Sequence, residues 1–321
     1  MKLRKLGNAG PDVSVVGLGC NNFGLRIDLE ASRKVIHKAI DLGMTLFDTA
    51  DTYGQRGGSE TILGQVLGEN RKRIVLATKF GGAMDEAGTM KGASRHYVTS
   101  AAEASLKRLR TDWIDLYQIH FPDPATPIEE TLRALDALVR DGKVRYIGCS
   151  NFAAWQVVDA QWTAQHLNMQ AFVSCQNEYS LLVRGVEREL LPAMQKFGLG
   201  MLPYFPLASG LLTGKYAPNQ PIPENTRFQA LKGLADRYLT ESNWKIVQRL
   251  EEFCAGHGHT LLELAFAWLL ARPTVASVIA GATKHEQLEQ NVKAAESSLT
   301  PEEIAEIDTI TAEALNRVKT V

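Results

Sequence analysis

Short apolar runs that each end in a reactive polar residue recur along this chain of 321 residues. Thr45-Leu46-Phe47 ends in Asp48, Ile74 to Thr78 in Lys79, and Ile114 to Ile119 in His120. Further on, Val144 to Cys149 ends in Ser150 and Asn151, Phe172 to Cys175 in Gln176, and Met201 to Pro203 in Tyr204. Most of these runs are continuously apolar rather than alternating, as parallel strands buried on both faces require. Helical patterns fill most of the gaps. Parallel strands separated by helices, with polar groups at their C-terminal ends, predict a (β/α)8 TIM barrel with its site at one mouth.

The strands are expected at Val15–Leu18, Thr45–Asp48, Ile74–Lys79, Ile114–His120, Val144–Ser150, Ala171–Gln176, Met201–Phe205 and Ser277–Ala280. Helices are expected at Ala31–Leu42, Ser59–Leu67, Val98–Leu109, Pro127–Arg140, Trp155–Leu167, Gly185–Phe197, Asn243–Ala255 and Leu261–Leu270. Thr126-Pro127-Ile128-Glu129 and Thr300-Pro301-Glu302-Glu303 each offer a capping hydroxyl, a proline at the first helical position and a glutamate. The second of these adds a C-terminal helix outside the eightfold repeat. An N-terminal hairpin, Leu3–Leu6 with Val13–Val15, is expected to plug the barrel floor. Between strands seven and eight runs a long stretch, Leu207 to Leu239, rich in Gly, Pro, Asn and Gln, of a length more often functional or mobile than structureless. No linker or low-complexity tract divides the chain, so one domain is expected over residues 1–321.

Net charge is −1, which supplies no bulk attraction to nucleic acid or anionic membrane. No stretch approaches the roughly 20 apolar residues of a bilayer span, and the N-terminal residues lack an apolar signal core. Cys20, Cys149, Cys175 and Cys254 have no metal-ligand spacing and read as reduced, mostly buried thiols of a cytoplasmic protein without a metal.

Asp48 and Tyr53 share one strand-to-helix loop. Alone the pair says little, because a strand-end Asp is often a turn former and a loop Tyr often packs. Lys79 changes this. A lysine closing an apolar strand is half buried and needs a carboxylate, which Asp48 on the adjacent strand can supply. Its charge should favour the phenolate and lower the Tyr53 pKa, making that residue a usable proton donor. His120, one strand further round, can hydrogen-bond a substrate oxygen. Ser150, Asn151 and Gln176 suit a carboxamide, although Ser150 and Asn151 are equally good caps for the following helix. Small residues in Pro206 to Lys215 permit close approach to phosphates, and Lys215 adds charge. Gly17-Leu18-Gly19-Cys20-Asn21-Asn22 lacks the third glycine of a Rossmann fingerprint and leads into a loop.

The segments Leu46 to Gly54, Ala77 to Lys79, Asp115 to His120, Gly142 to Asn151 and Gln176 to Tyr179 together resemble the aldo-keto reductase superfamily over essentially the whole chain. The resemblance implies reduction of an aldehyde or ketone with hydride from a nicotinamide. Tyr53 would be the proton donor, Lys79 and Asp48 would tune it, and His120 would orient the carbonyl. It further implies that Ser150, Asn151 and Gln176 hold the nicotinamide amide, that Tyr204 stacks on the ring, and that Cys20 and Asn21 lie beside it. Phe205, Pro206, Leu207, Ala208 and Gly210 would pass the pyrophosphate, with Lys215. Gly281, Thr283, Lys284, Gln287, Gln290 and Asn291 would hold the adenosine half, with Thr283 and Lys284 on a 2′-phosphate. Lys284, with Arg227 as a second charge, argues for NADP(H).

Phe205 stands where many relatives have serine, and Phe121 follows His120 where many have Arg or Trp. The substrate pocket is expected between Asn22, Phe23, Phe80, Phe121 and Phe152, favouring a small-molecule carbonyl with an aromatic or hydrophobic body. Two rivals remain. The potassium-channel β subunits share the fold and bind NADP(H) as redox sensors, but their histidine position is typically Asn, whereas here it is His120. A Schiff-base aldolase would use Lys79 as nucleophile, which the paired Asp48 opposes by favouring the ammonium.

Overall fold

The computed structural model describes residues 1–224 and 226–317. The chain opens with an antiparallel hairpin, β1 (Leu3–Lys5) and β2 (Asp12–Ser14). Eight parallel strands follow: β3 (Val16–Gly19), β4 (Leu46–Asp48), β5 (Val75–Phe80), β6 (Ile114–Ile119), β7 (Val144–Ser150), β8 (Ser174–Gln176), β9 (Gly200–Met201) and β10 (Val278–Gly281). They hydrogen-bond in the order β10-β3-β4-β5-β6-β7-β8-β9. Closure comes from backbone bonds between the β9 segment and the approach to β10. Met201 N donates to Thr274 O at 2.7 Å, Ala276 N to Met201 O at 3.0 Å, and Ile279 N to Pro203 O at 3.2 Å. The (β/α)8 barrel is therefore formed, with the hairpin beneath it.

The hairpin seals the N-terminal mouth. Leu6 and Val13 are fully buried and pack with Leu46, Ala77, Leu116, Val173, Leu202, Ala276 and Ile279, the inward-facing apolar side chains of the barrel. Asn8 N donates to Gly198 O at 2.8 Å and ties the turn to the start of β9.

The helices run α1 (Leu29–Asp41), α2 (Tyr53–Val66), α3 (Arg95–Leu109), α4 (Ile128–Arg140), α5 (Ala154–His166) and α6 (Leu190–Phe197), each following its strand. After β9 come two short helices, α7 (Arg227–Ala230) and α8 (Lys232–Tyr238), and then α9 (Glu241–His257) and α10 (Leu261–Leu270). α11 (His285–Ala294) follows β10, and α12 (Pro301–Ile310) lies outside the repeat. The start of α12 is as the sequence predicts: Thr300 accepts from Glu303 N at 3.2 Å, and Glu303 accepts from Thr300 N at 2.7 Å. At α4 the expected cap is absent, because the Thr126 hydroxyl donates instead to Asp123 at 2.8 Å.

Three other expectations change. The seventh barrel strand is two residues, not Met201–Phe205, since Pro203 lacks an N–H and Phe205 turns into the left-handed region at φ 51°. The helix expected over Gly185–Phe197 divides into a 3-10 turn at Gly185–Glu187 and α6. The stretch Leu207–Leu239 is not structureless: a 3-10 segment, Ala208–Thr213, precedes α7 and α8.

Because the floor is remote from the rim, Leu6→Ala should lower stability by about 2–5 kcal/mol, the cost of a large core truncation. Urea denaturation checks this, and turnover per folded molecule should stay at the wild-type level.

Candidate active site

Asp48 closes β4, and its register partner on β5 is Ala77. Lys79 lies two residues further on, so the pleat points it to the same side as Ala77, into the barrel beside Asp48. Both side chains are buried, Lys79 completely. Lys79 Nζ donates to Asp48 Oδ2 at 2.7 Å and to Thr49 O at 2.8 Å. Burial favours the neutral amine, but the Asp48 charge and the nearby Tyr53 oxygen outweigh it, and the Lys79 pKa is raised. The ammonium persists, which removes the Schiff-base alternative at neutral pH.

The second Asp48 oxygen accepts from Gln176 Nε2 at 2.8 Å and from Gln118 Nε2 at 3.4 Å. Asp48 thus ties β4, β5, β6 and β8 together at the rim. Gln118 is a buried member of the site that the sequence reading missed. Its one signal is polarity inside the run Ile114 to Ile119, which reads as an interruption rather than as a site.

Tyr53 follows a tight turn in which its amide donates to Ala50 O at 3.1 Å. The next four residues, Gly54 to Gly57, all have φ between 62° and 107°. A Cβ on Gly54 would fall 2.5 Å from Phe23 O and Ser59 N, so only glycine lets the chain turn away here. This swing leaves the Tyr53 ring over Lys79, whose Nζ is 5.0 Å from the ring centroid. The His120 ring meets Tyr53 edge-on at 5.7 Å and stacks on Phe121 at 4.4 Å. Asp48, Tyr53, Lys79 and His120, from three separate strand ends, therefore share one cluster.

The pKa of Tyr53 runs against expectation. Burial raises it above the usual phenol value, and although Lys79 opposes this, it does not reverse the sign. The phenol therefore keeps its proton throughout the neutral range.

Ser150 and Asn151 do not cap α5. Ser150 Oγ donates to Gln176 O at 2.8 Å, and Asn151 Nδ2 donates to His120 O at 2.9 Å. Asn151 Oδ1 accepts from the Tyr204 hydroxyl at 2.7 Å. The N-cap of α5 is Ala153, whose amide is held by Gln156 Oε1 at 2.9 Å. The two rim polar groups thus link β6, β7, β8 and Tyr204 while still facing the cavity.

Most of these groups open onto one cavity of about 510 Å3, with Lys79 and Gln118 buried behind its wall. Asp48, Tyr53 and His120 line it, with Asn21, Asn22, Phe121, Ser150, Asn151, Gln176 and Tyr204. It continues past Phe205, Pro206, Leu207, Gly210, Lys215 and Arg227 to Gly281, Thr283, Gln287, Gln290 and Asn291. Several expected members lie elsewhere. Phe23 and Phe80 are fully buried in the core, and Phe152 packs edge-on against Phe172 at 6.0 Å, so of the expected substrate wall only Asn22 and Phe121 face the cavity. Cys20 is buried with its thiol on Leu18 O, and burial pushes its pKa well up. Ala208 is turned into the core, and exposed Lys284 does not reach the lining.

The missing positive charge is supplied by Arg26, on the β3–α1 loop, which the sequence reading did not include. It acts on both Lys215 and Arg227 across the cavity, and burial together with this mutual repulsion lowers the pKa of each. Three crowded cations in a concave site call for a polyanion. Arg227 also stacks over the Phe205 ring at 4.8 Å. Phe205, Ala208 and Ser209 all take positive φ, a departure from ordinary backbone of the kind that clusters at ligand clamps. The segment bearing Lys215 and Arg227 is fastened to the rim by buried Glu178, which accepts from both Arg237 and the Tyr238 hydroxyl of α8.

A profile of the Aldo/keto reductase family matches residues 15–312. Similar curated proteins include a probable voltage-gated potassium channel subunit beta of rice (Oryza sativa subsp. japonica), 37% identical over 97% of this chain and 96% of its own length. The uncharacterized oxidoreductase YrpG of Bacillus subtilis (strain 168) is also 37% identical, covering 94% of this chain and 93% of its own. The L-glyceraldehyde 3-phosphate reductase of Escherichia coli (strain K12) is 35% identical over 96% and 92%.

Removing one partner of a buried ion pair leaves an uncompensated charge, so Lys79→Met should cost about 3–5 kcal/mol of stability. The double variant Asp48→Leu/Lys79→Met should cost clearly less than the two single changes added together, in a double-mutant cycle followed by urea denaturation.

Proposed function

The chain belongs to the aldo/keto reductase family, and from that premise we propose that it is a single-domain, NADPH-dependent carbonyl reductase in which Tyr53 is the proton donor. The observation that carries the reading is the buried cluster in which Lys79, held as an ammonium by Asp48, lies against a phenol that keeps its proton.

The donor set fits a dinucleotide phosphate. Arg26, Lys215 and Arg227 would neutralise the phosphates and relieve their own repulsion. Gln176, Ser150 and Asn151 would hold the carboxamide, Tyr204 would present its ring to the nicotinamide, and Gln287, Gln290 and Asn291 would meet the adenosine half. Preference for NADPH over NADH rests on the three-cation cluster, not on Lys284. When bound, the cofactor supplies hydride. Tyr53 then gives its proton to the oxygen that becomes an alkoxide, and Lys79 stabilises the phenolate left behind. His120 and Phe121 orient the carbonyl at the open side of the cavity. The resident Phe121 favours substrates with an apolar or aromatic body.

A regulatory reading is suggested by relatives named as potassium channel subunits. The presence of His120 beside Tyr53 supports turnover instead.

NADPH oxidation at 340 nm with aromatic and aliphatic aldehydes tests the proposal. Tyr53→Phe should lower kcat by about 10²–10⁴-fold, the worth of a general acid, while NADPH binding is retained. Tight NADPH binding without turnover of any carbonyl would favour the regulatory reading. Arg227→Leu should weaken NADPH binding by about 10–100-fold, as loss of a charged hydrogen bond predicts, and NADH binding by less. Fluorescence titration of both cofactors measures the difference.

A further inference from the structure

The loop between Asp48 and Tyr53 carries a second carboxyl group that the mechanism does not use. Asp51 is fully buried, and its amide donates to Lys79 O at 3.0 Å, pinning it to the end of β5. Neither of its side-chain oxygens has a hydrogen-bond partner among the described residues. It does not line the cavity.

Its surroundings are hostile to a charge. On α2, fully buried Glu60 accepts from Thr78 Oγ1 at 2.5 Å and pairs with Arg108, whose Nε lies at 2.7 Å. On β6, the buried Tyr117 hydroxyl also has no partner among the described residues. On α3, Tyr97 is committed to Gly82 O, and Arg108 to Glu60. On β5, Lys79 is committed to Asp48 and Thr49. Burial, and then the Glu60 charge, push the Asp51 pKa up to about 8. The Thr52 amide, Arg108 and Lys79 pull the other way without reversing the sign.

The connection to Tyr53 is short. Tyr53 N bonds to Ala50 O, so Asp51 and Thr52 are the middle of a closed turn whose end is the catalytic phenol.

Building on the reductase reading, we propose that Asp51 is a positioning residue: only as a neutral acid can its unpartnered, buried carboxyl stay beneath the turn that places Tyr53, and its ionisation displaces that turn and stops turnover. Once ionised, Asp51 confronts the Glu60 carboxylate and competes with Asp48 and Tyr53 for the Lys79 ammonium. Tyr53 itself titrates above the ordinary phenol range and contributes no step near neutrality.

The test is kcat against pH, from 6 to 10, at saturating NADPH and aldehyde, for wild type, Asp51→Asn and Asp51→Leu. Thermal midpoints are read over pH 4 to 10 on the same proteins without substrate. Wild-type kcat should fall about tenfold between pH 7 and 9, as one ionisation near 8 requires, with KM for NADPH unchanged. Asp51→Asn, which cannot ionise, should lose that limb, and the apolar Asp51→Leu should show a lowered but equally flat profile.

For stability, the folded-state pKa is raised, so the favourable contribution of Asp51 is complete below the unfolded value near 4 and is lost as pH rises through about 8. Asp51→Asn should therefore gain in midpoint over wild type between these limits and level off above them. A wild-type profile flat through pH 9, a limb that survives in Asp51→Asn, or a pH-independent midpoint difference would each overturn the proposal. Absence of turnover at every pH would sink the reductase reading, and the midpoints would still decide whether Asp51 is a buried acid.

Discussion

The Lys79–Asp48 contact is the interaction around which the rim is built. Burying an ammonium and a carboxylate removes both from water, and the attraction between them offsets that loss only when their remaining donors and acceptors are also satisfied. Here they are. Lys79 spends one donor on Asp48 and one on Thr49 O, and its remaining reach is toward Tyr53. Asp48 spends its other oxygen on Gln176 and Gln118. The pair therefore fixes four strand ends and gives Tyr53 the one environment in the cavity where losing a proton is assisted and keeping it is the resting state.

Charge is arranged in a gradient along the cavity. At the Tyr53 end Lys79 is paired with Asp48; at the other end the charges of Arg26, Lys215 and Arg227 repel one another. The proposed cofactor would lie along that gradient, its phosphates where the repulsion is and its reactive ring where the pair is. Glu178 completes the arrangement by holding the covering segment through Arg237 and Tyr238.

The barrel and the cluster of four were legible in the sequence because both depend on local pattern. Continuous apolar runs mark strands, and the residue at the end of each run is carried to the rim by topology alone. What failed depended on side-chain direction. Phe23, Phe80 and Phe152 are adjacent in sequence to rim residues, but each turns into the core. Cys20 and Ala208 do the same, and Lys284 points outward instead. Arg26 is not legible because nothing in its loop distinguishes a cation that lines the cavity from a solvated one. The direction of the Tyr53 pKa is not legible either, because the sequence shows the neighbouring charge and not the depth of burial that opposes it.

The central claim is that hydrogen passes from a nicotinamide held in one orientation to a carbonyl carbon. Single-turnover reduction of an aromatic aldehyde with NADPH deuterated at either face of C4 tests it most directly. The account predicts that one epimer delivers its deuterium to the alcohol carbon and the other retains it in the oxidised cofactor. Alcohol without label from either epimer, or equal label from both, would contradict it.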